Sequence, residues 1–241
     1  MTPISSPHNP RIASLRRLHT RRGRERSGAF LAEGEDLIEA ALRAGRPPLE
    51  GYRLSGTELG GEGFCDVEAA ALKRACSLGS GTRVLAVYEQ RWSAPAGPLC
   101  VYLHAVADPG NVGTILRAAQ AFGASSVALG PRCADPHSPK AVRASMGAVF
   151  AVQLARVRDV SELPGERVAL LPDAEQPLRA DRASAGGAVT LLVGAERDGL
   201  PESVVGACER SARIPIASHS LNAAMAATVA LYELTSSRVR P

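Results

Sequence analysis

Residues 99–129 read LCVYLHAVADPGNVGTILRAAQAFGASSVAL, and this stretch decides the fold class. Leu99–His104 is a nearly unbroken apolar run of strand length, and the turn residues Pro109 and Gly110 follow it. Gly113–Phe122 then has helical periodicity and stops at Gly123, and Ser126–Leu129 is a second apolar run. A strand, a helix and a strand in quick succession form the unit from which parallel sheets are built. The alternation continues downstream. Further candidate strands are Val149–Leu154, Val168–Leu171, Val189–Val193 and Ala212–Ile216, with candidate helices at Pro139–Met146, Glu202–Glu209 and Leu221–Ser236. The fold class predicted is α/β, a mainly parallel sheet covered on both faces. In such sheets ligands bind in the loops that follow the strands.

Upstream, Arg11–Arg22 reads as a helix, with Ile12, Leu15 and Leu18 at three-residue spacing. Short segments follow: a strand at Ala29–Ala32, a helix at Glu35–Ala44 and a strand at Tyr52–Leu54. A helix at Val67–Cys76 and a strand at Val84–Tyr88 complete this part. This predicts a small α/β domain over residues 1–90, a Pro- and Gly-containing linker over 91–98, and a larger domain over 99–241.

Composition narrows the class of function. Of 241 residues 45% are hydrophobic and 22% charged, ordinary for a globular protein that buries a core. No stretch approaches the ~20 apolar residues of a membrane span. The basic N-terminal residues lead into no apolar run, so no signal peptide is read and a cytoplasmic, membrane-free protein is expected. Cys65, Cys76, Cys100, Cys133 and Cys208 are widely spaced and odd in number, which predicts separate reduced thiols and no metal site. The net charge is only +4, but Arg11, Arg16, Arg17, Arg21, Arg22, Arg24 and Arg26 crowd around a single acid, Glu25. Arginine's planar fork suits phosphate and stacks on bases, so this segment is a candidate RNA-contacting arm.

Three post-strand loops carry candidate chemistry. In the first, Asn111 stands as a candidate helix cap at an anion-attracting N-terminus, and Arg117 lies nearly two turns further on. In the third, Gly194 and Gly199 punctuate the loop after a buried strand, where backbone can approach a ligand closely, and Glu196 sits between them. Between these, Lys140, Arg143 and Ser145 make a polar, cationic helix face suited to phosphate. Near the C-terminus Ser220 reads as the cap of a helix that is apolar almost all round, a pattern of burial in a core or an oligomer interface, and Asn222 follows it. His219 has no recognisable Ser–His–Asp companions for a general-base role. Dinucleotide and phosphate-loop glycine patterns are absent, which disfavours a nucleotide-dependent Rossmann enzyme.

Four stretches in order resemble the motifs of the SpoU (TrmH-like) RNA ribose 2′-O-methyltransferases of the SPOUT class. They are DPGNVGTILRAAQAFGA, SPKAVRASMGAVF, LLVGAERDGLP and IPIASHSLNAAMAATVALYE. The N-terminal opening, SPHNPRIASLRRL, is similar to the small substrate domain that often precedes that catalytic domain. The resemblance implies a sheet with a C-terminal trefoil knot, a rare exception to the rule against knots. It implies S-adenosylmethionine as cofactor, with Gly194, Glu196, Ile214, Ile216, Leu221 and Ala224 at cofactor-binding positions. Asn111, Arg117, Glu196, Ser220 and Asn222 match active-site positions, and a homodimer is implied, which suits the apolar last helix. RNA is the implied substrate, ribosomal RNA ahead of transfer RNA. One departure is visible: the segment Ile216–His219 is shorter than the family's. That shortening motivates an alternative, a non-catalytic RNA-binding or ribosome-assembly protein on the same scaffold.

Overall fold

The computed structural model describes residues 2–77, 81–179, 187–217 and 221–239. The chain forms two compact units. One comprises Met1–Gln90 together with Asp135–Ala151, the other Arg91–Ala134 with Val152–Pro241. The predicted second domain is therefore interrupted, because Asp135–Ala151 is built into the first unit.

In the first unit Asn9 caps α1 (Pro10–Arg17) by accepting from the Arg11 N–H. The predicted single helix over Arg11–Arg22 is instead two. Thr20 accepts from the Gly23 N–H and starts α2 (Arg21–Ser27), a local side-chain bond that competes with continued helix. Gly28 ends α2 in the left-handed conformation at φ 64°. Next come β1 (Ala29–Glu33), α3 (Glu35–Arg43), β2 (Glu50–Leu54), β3 (Cys65–Val67), α4 (Ala69–Ala75) and β4 (Val84–Glu89). Val67, predicted as helical, pairs with Leu54 in the sheet, and the helix begins after it. The sheet order is β1-β4-β2-β3, with only the β2–β3 pair parallel. Ile12, Leu15, Val67, Leu72 and Leu85 fill its core.

The second unit begins with residues 91–98, which are tied down rather than free as a linker would be. The Arg156 guanidinium sits 4.1 Å over the Trp92 ring, and the Ser126 hydroxyl donates to the Ala96 carbonyl at 2.8 Å. Then follow β5 (Leu99–Leu103), α5 (Pro109–Ala121) and β6 (Ser126–Leu129). The chain next enters the first unit with α6 (Pro139–Ala144) and α7 (Ala148–Ala151). There the Arg24 guanidinium, 2% exposed, meets Asp135 at 2.7 Å and donates to the Leu18 and His19 carbonyls. Phe150 packs edge-on against Tyr88 at 4.7 Å. The predicted strand Val149–Leu154 is thus a helical turn followed by a shorter strand, since a short apolar run fits either state.

That shorter strand is β7 (Gln153–Arg156), and β8 (Glu166–Leu170), β9 (Val189–Val193), α8 (Glu202–Val205), β10 (Arg210–Ala212) and α9 (Ala223–Val239) complete the second unit. All pairs in its sheet are parallel, in the order β10-β8-β9-β5-β6-β7. β5 and β9 lie centrally and are buried at every residue. Residues 214–216, predicted as strand, lie beyond β10, where Pro215 has no N–H to give a ladder. No helix among the described residues is long and apolar enough to cross a membrane.

Candidate active site

A cavity of about 370 Å³ opens at the carboxyl ends of β8 and β9. Its walls are Leu170, Leu171 and Pro172 after β8, Val193 through Glu196 after β9, and Ile214, Ile216, Leu221 and Ala223 from the approach to α9. The walls are mainly apolar or backbone, a surface that takes a flat or flexible organic molecule. The loop after β9 folds back on itself: the Gly199 N–H donates to the Ala195 carbonyl at 3.0 Å, with Gly199 at φ 63°. A β-carbon at Gly194 would lie 2.2 Å from the Gly199 carbonyl carbon, so only glycine fits there.

The polar groups gather at the mouth. The Asn111 Nδ2 donates to Glu196 Oε1, and the Asn222 Nδ2 donates to Asn111 Oδ1 at 3.1 Å. Three residues far apart in sequence, at the start of α5, after β9 and just before α9, thereby form one hydrogen-bonded chain. Their local roles differ from those predicted. Asp108, not Asn111, caps α5, accepting from the Gly110 and Asn111 N–H groups. Asn111 lies inside the first turn, with its side chain left over for Glu196. Asn222 caps α9, its Oδ1 accepting from Ala224 N–H at 2.9 Å and Met225 N–H at 3.3 Å. Ser220, the predicted cap, and His219 lie outside the described residues.

Gly194, Glu196, Ile214, Ile216 and Leu221 all line the cavity, with Ile216 39% exposed. Ala224 does not; it is buried, and its neighbours Ala223 and Ala226 face the cavity. Arg117 is exposed on α5, makes no ion pair among the described residues and stands about 9 Å along the helix axis from Asn111. The sequence reading missed Leu170, Leu171 and Pro172. Their signal lay in sheet order, which puts β8 beside β9, and order is not visible in periodicity.

The candidate RNA-contacting residues divide. Arg11, Arg16, Arg17, Arg21 and Arg22 are exposed, and Arg21 donates to Glu25 at 2.8 Å. Lys140 and Arg143 are exposed on α6. Ser145, expected on the exposed cationic face, is instead fully buried at the end of α6, with its hydroxyl donating to the Val142 carbonyl at 2.7 Å. Burial pushes the Cys76 and Cys208 thiols up to about 11, and raises Cys100 and Cys133 as well, which keeps these thiols protonated at neutral pH. Desolvation likewise holds buried His104 below the usual imidazole range. No cluster of three or more potential metal ligands occurs among the described residues.

Residues 98–232 match the SpoU rRNA Methylase family, and residues 9–58 match the MRM3-like substrate binding domain. The 23S rRNA (guanosine(2553)-2′-O)-methyltransferase RlmP of Bacillus subtilis is 29% identical, over 97% of this chain and 99% of its own. The crystal structure of an AdoMet-bound rRNA methyltransferase from Sinorhizobium meliloti superposes with a TM-score of 0.85 at 29% identity, covering 99% of each chain. The SpoU methyltransferase AviRb from Streptomyces viridochromogenes, solved with AdoMet, gives 0.82 at 27% identity over 96% of this chain and 99% of that one.

Proposed function

The chain belongs to the SpoU rRNA methylase family, and on that premise we propose that it transfers a methyl group from S-adenosylmethionine to a ribose 2′-hydroxyl of RNA, ribosomal RNA ahead of transfer RNA. The observation that carries this reading is the cavity with its polar mouth: an apolar cleft closed by a hairpin that admits only glycine, and beside it the chain Glu196–Asn111–Asn222. The cavity lies in the ~300–1,000 Å³ range of small-molecule sites. Leu170, Leu171, Gly194, Ile214, Ile216 and Leu221 would hold the cofactor. The family resemblance adds that the segments around Gly194 and Leu221 thread a trefoil knot.

When bound, the cofactor supplies a methyl group on a cationic sulfur. The task left to the protein is alignment of the ribose hydroxyl, a contribution that can reach several kcal/mol. Glu196 and Asn222 fix the Asn111 amide from both sides, so it is already oriented when RNA arrives. The Glu196 carboxylate at the mouth is an acceptor for a ribose hydroxyl. Arg117 is a permanent cation and therefore no base. Its role in this reading is to clamp a phosphate and stabilise the developing alkoxide, with the proton leaving through phosphate or water.

The exposed residues of α9 suit a homodimer, and a cytoplasmic location goes with the ribosomal RNA substrate of this reading. Met225, Val229 and Tyr232, 61%, 42% and 59% exposed, recur at helical spacing along α9, and a second copy of this chain is the proposed cover.

The test is transfer of labelled methyl from S-adenosylmethionine to purified ribosomal and transfer RNA, followed by mapping of alkali-resistant linkages. A 2′-O-methylated ribosomal nucleotide is expected. Cofactor binding with no transfer to any RNA would sink the catalytic reading. Tight RNA binding without measurable cofactor binding would instead favour the ribosome-assembly alternative.

A further inference from the structure

A second concavity, about 950 Å³, lies wholly in the first unit, between the α1–α2 helices and the start of β2. Arg17, Arg22 and Arg26 stand along one side, Leu49 and Val87 belong to the floor, and Glu50 is the one carboxylate in the lining. Two observations point to its ligand.

The first is a contrast within a single helix. On α2, Arg21 and Glu25 are four residues apart and pair at 2.8 Å, the ordinary arrangement of opposite charges on a helix face. Arg22 and Arg26 have the same spacing, but both are cations and both face the groove. Neither they nor Arg17 form an ion pair among the described residues. Like charges at this spacing work against the helix, so an anion in the groove would relieve them. Glu50 is one carboxylate against three arginines in the lining and forms no ion pair with them among the described residues, so the groove keeps a net positive charge.

The second is Leu49, which is 61% exposed although its backbone is fixed: its N–H donates to the Val87 carbonyl at 2.8 Å as an extension of the β2–β4 ladder. The side chain cannot fold inward without breaking that bond. An apolar surface beside three unneutralised arginines complements a ligand with both a flat apolar face and regularly spaced phosphates.

From this we infer that the groove takes an unpaired stretch of RNA, its phosphates on Arg17, Arg22 and Arg26 and an unstacked base over Leu49 and Val87. A duplex presents phosphates but keeps its base faces stacked, so it has nothing to offer the apolar floor. The Glu50 carboxylate then faces the exocyclic amino groups of that base. This rests on RNA being the substrate, and it narrows the substrate class to an element with a loop or bulge near the target. It also draws in Arg26 and Leu49, and leaves Arg11, Arg16 and Arg21 outside the groove.

The test is binding of the full chain to a fluorescent single-stranded oligonucleotide and to the duplex of the same sequence, across a salt series. Three proteins are compared: the parent, an Arg22→Ala/Arg26→Ala double variant, and Leu49→Ser, each checked for an unchanged melting curve. We expect the parent to prefer the single strand. The double variant should lower the salt slope by about 0.7 per lost phosphate contact. Leu49→Ser should weaken single-strand binding roughly tenfold with the slope and the duplex affinity unchanged, the signature of a lost base contact. Tighter binding of the duplex, equal competition by heparin at every salt concentration, or single-strand binding that neither variant alters would each overturn the inference. Methyl transfer is measured on the same proteins, so the two readings fail separately. An inactive parent with groove-dependent binding removes only the catalytic reading, and an active parent with groove-independent binding removes only this one.

Discussion

The first unit and the second treat polar side chains in opposite ways. At the mouth of the second unit's cavity, Glu196, Asn111 and Asn222 are bonded to one another. Along the first unit's groove, Arg17, Arg22 and Arg26 stand without ion pairs among the described residues. A site built for positioning is satisfied before its ligand arrives, because an orienting amide that must reorganise loses its advantage. A surface built for polyanion affinity is left unsatisfied, because its stabilisation comes from the ligand and the counterions it releases. Arg24 is the exception that sharpens the contrast: it belongs to the arginine-rich segment by sequence, but its guanidinium is satisfied within the protein by Asp135 and the Leu18 carbonyl.

The largest effect is therefore expected at Arg24. Arg24→Ala leaves Asp135 without its cation and should cost about 3–5 kcal/mol in chemical denaturation, against less than about 0.5 kcal/mol for Arg16→Ala. Equal losses for the two would break the distinction between structural and ligand-facing arginines. Next, Asn111→Ala should lower kcat roughly 10²–10³-fold while leaving cofactor affinity within a few-fold, since the residue sits at the mouth and not in the walls. A matching loss of cofactor affinity would make it a wall residue after all. Gly194→Ala should do the reverse. Forcing a β-carbon against the Gly199 carbonyl should weaken cofactor binding by calorimetry about 10- to 100-fold, with RNA affinity retained.

The smallest effect is electrostatic and lies away from both sites. The Arg167 guanidinium holds the Glu209 carboxyl down to about 2, below its ordinary 4.5. A carboxylate with a depressed folded-state pKa contributes stability above its unfolded pKa and loses it as pH falls through the folded one. Glu209→Gln should thus cost less than about 1 kcal/mol at neutral pH, because the Glu209 carboxylate is exposed and water screens the pair. The gap between variant and parent should close between about pH 4.5 and 2. A gap that widened on acidification would reverse the sign of this linkage.

How far these features were legible varies with what kind of fact each is. β6 and β9 fall on the residues predicted, because a fully buried parallel strand leaves an uninterrupted apolar run. Loop composition and family resemblance point to Asn111, Glu196 and Asn222, and these meet at one mouth, with Gly194 in the wall behind it. The caps were misread: Asp108 and Asn111 are both good capping residues three apart, and only backbone geometry decides between them. Arg24 cannot be told from Arg22 or Arg26 in a string of letters, since its partner is 111 positions away. Leu170 to Pro172 were missed for the same reason, as nothing local marks the end of β8 as a wall.

The return of Asp135–Ala151 to the first unit also sets an order of events during synthesis. When Gln90 has been made, the aromatic pocket around Phe30 and Tyr88 still lacks Phe150, and Arg24 still lacks its carboxylate. The missing pieces emerge some 45 to 60 residues later, about 2–12 s at ~5–20 residues per second. Through that interval the nascent N-terminal segment carries an unpaired cation and an open apolar face.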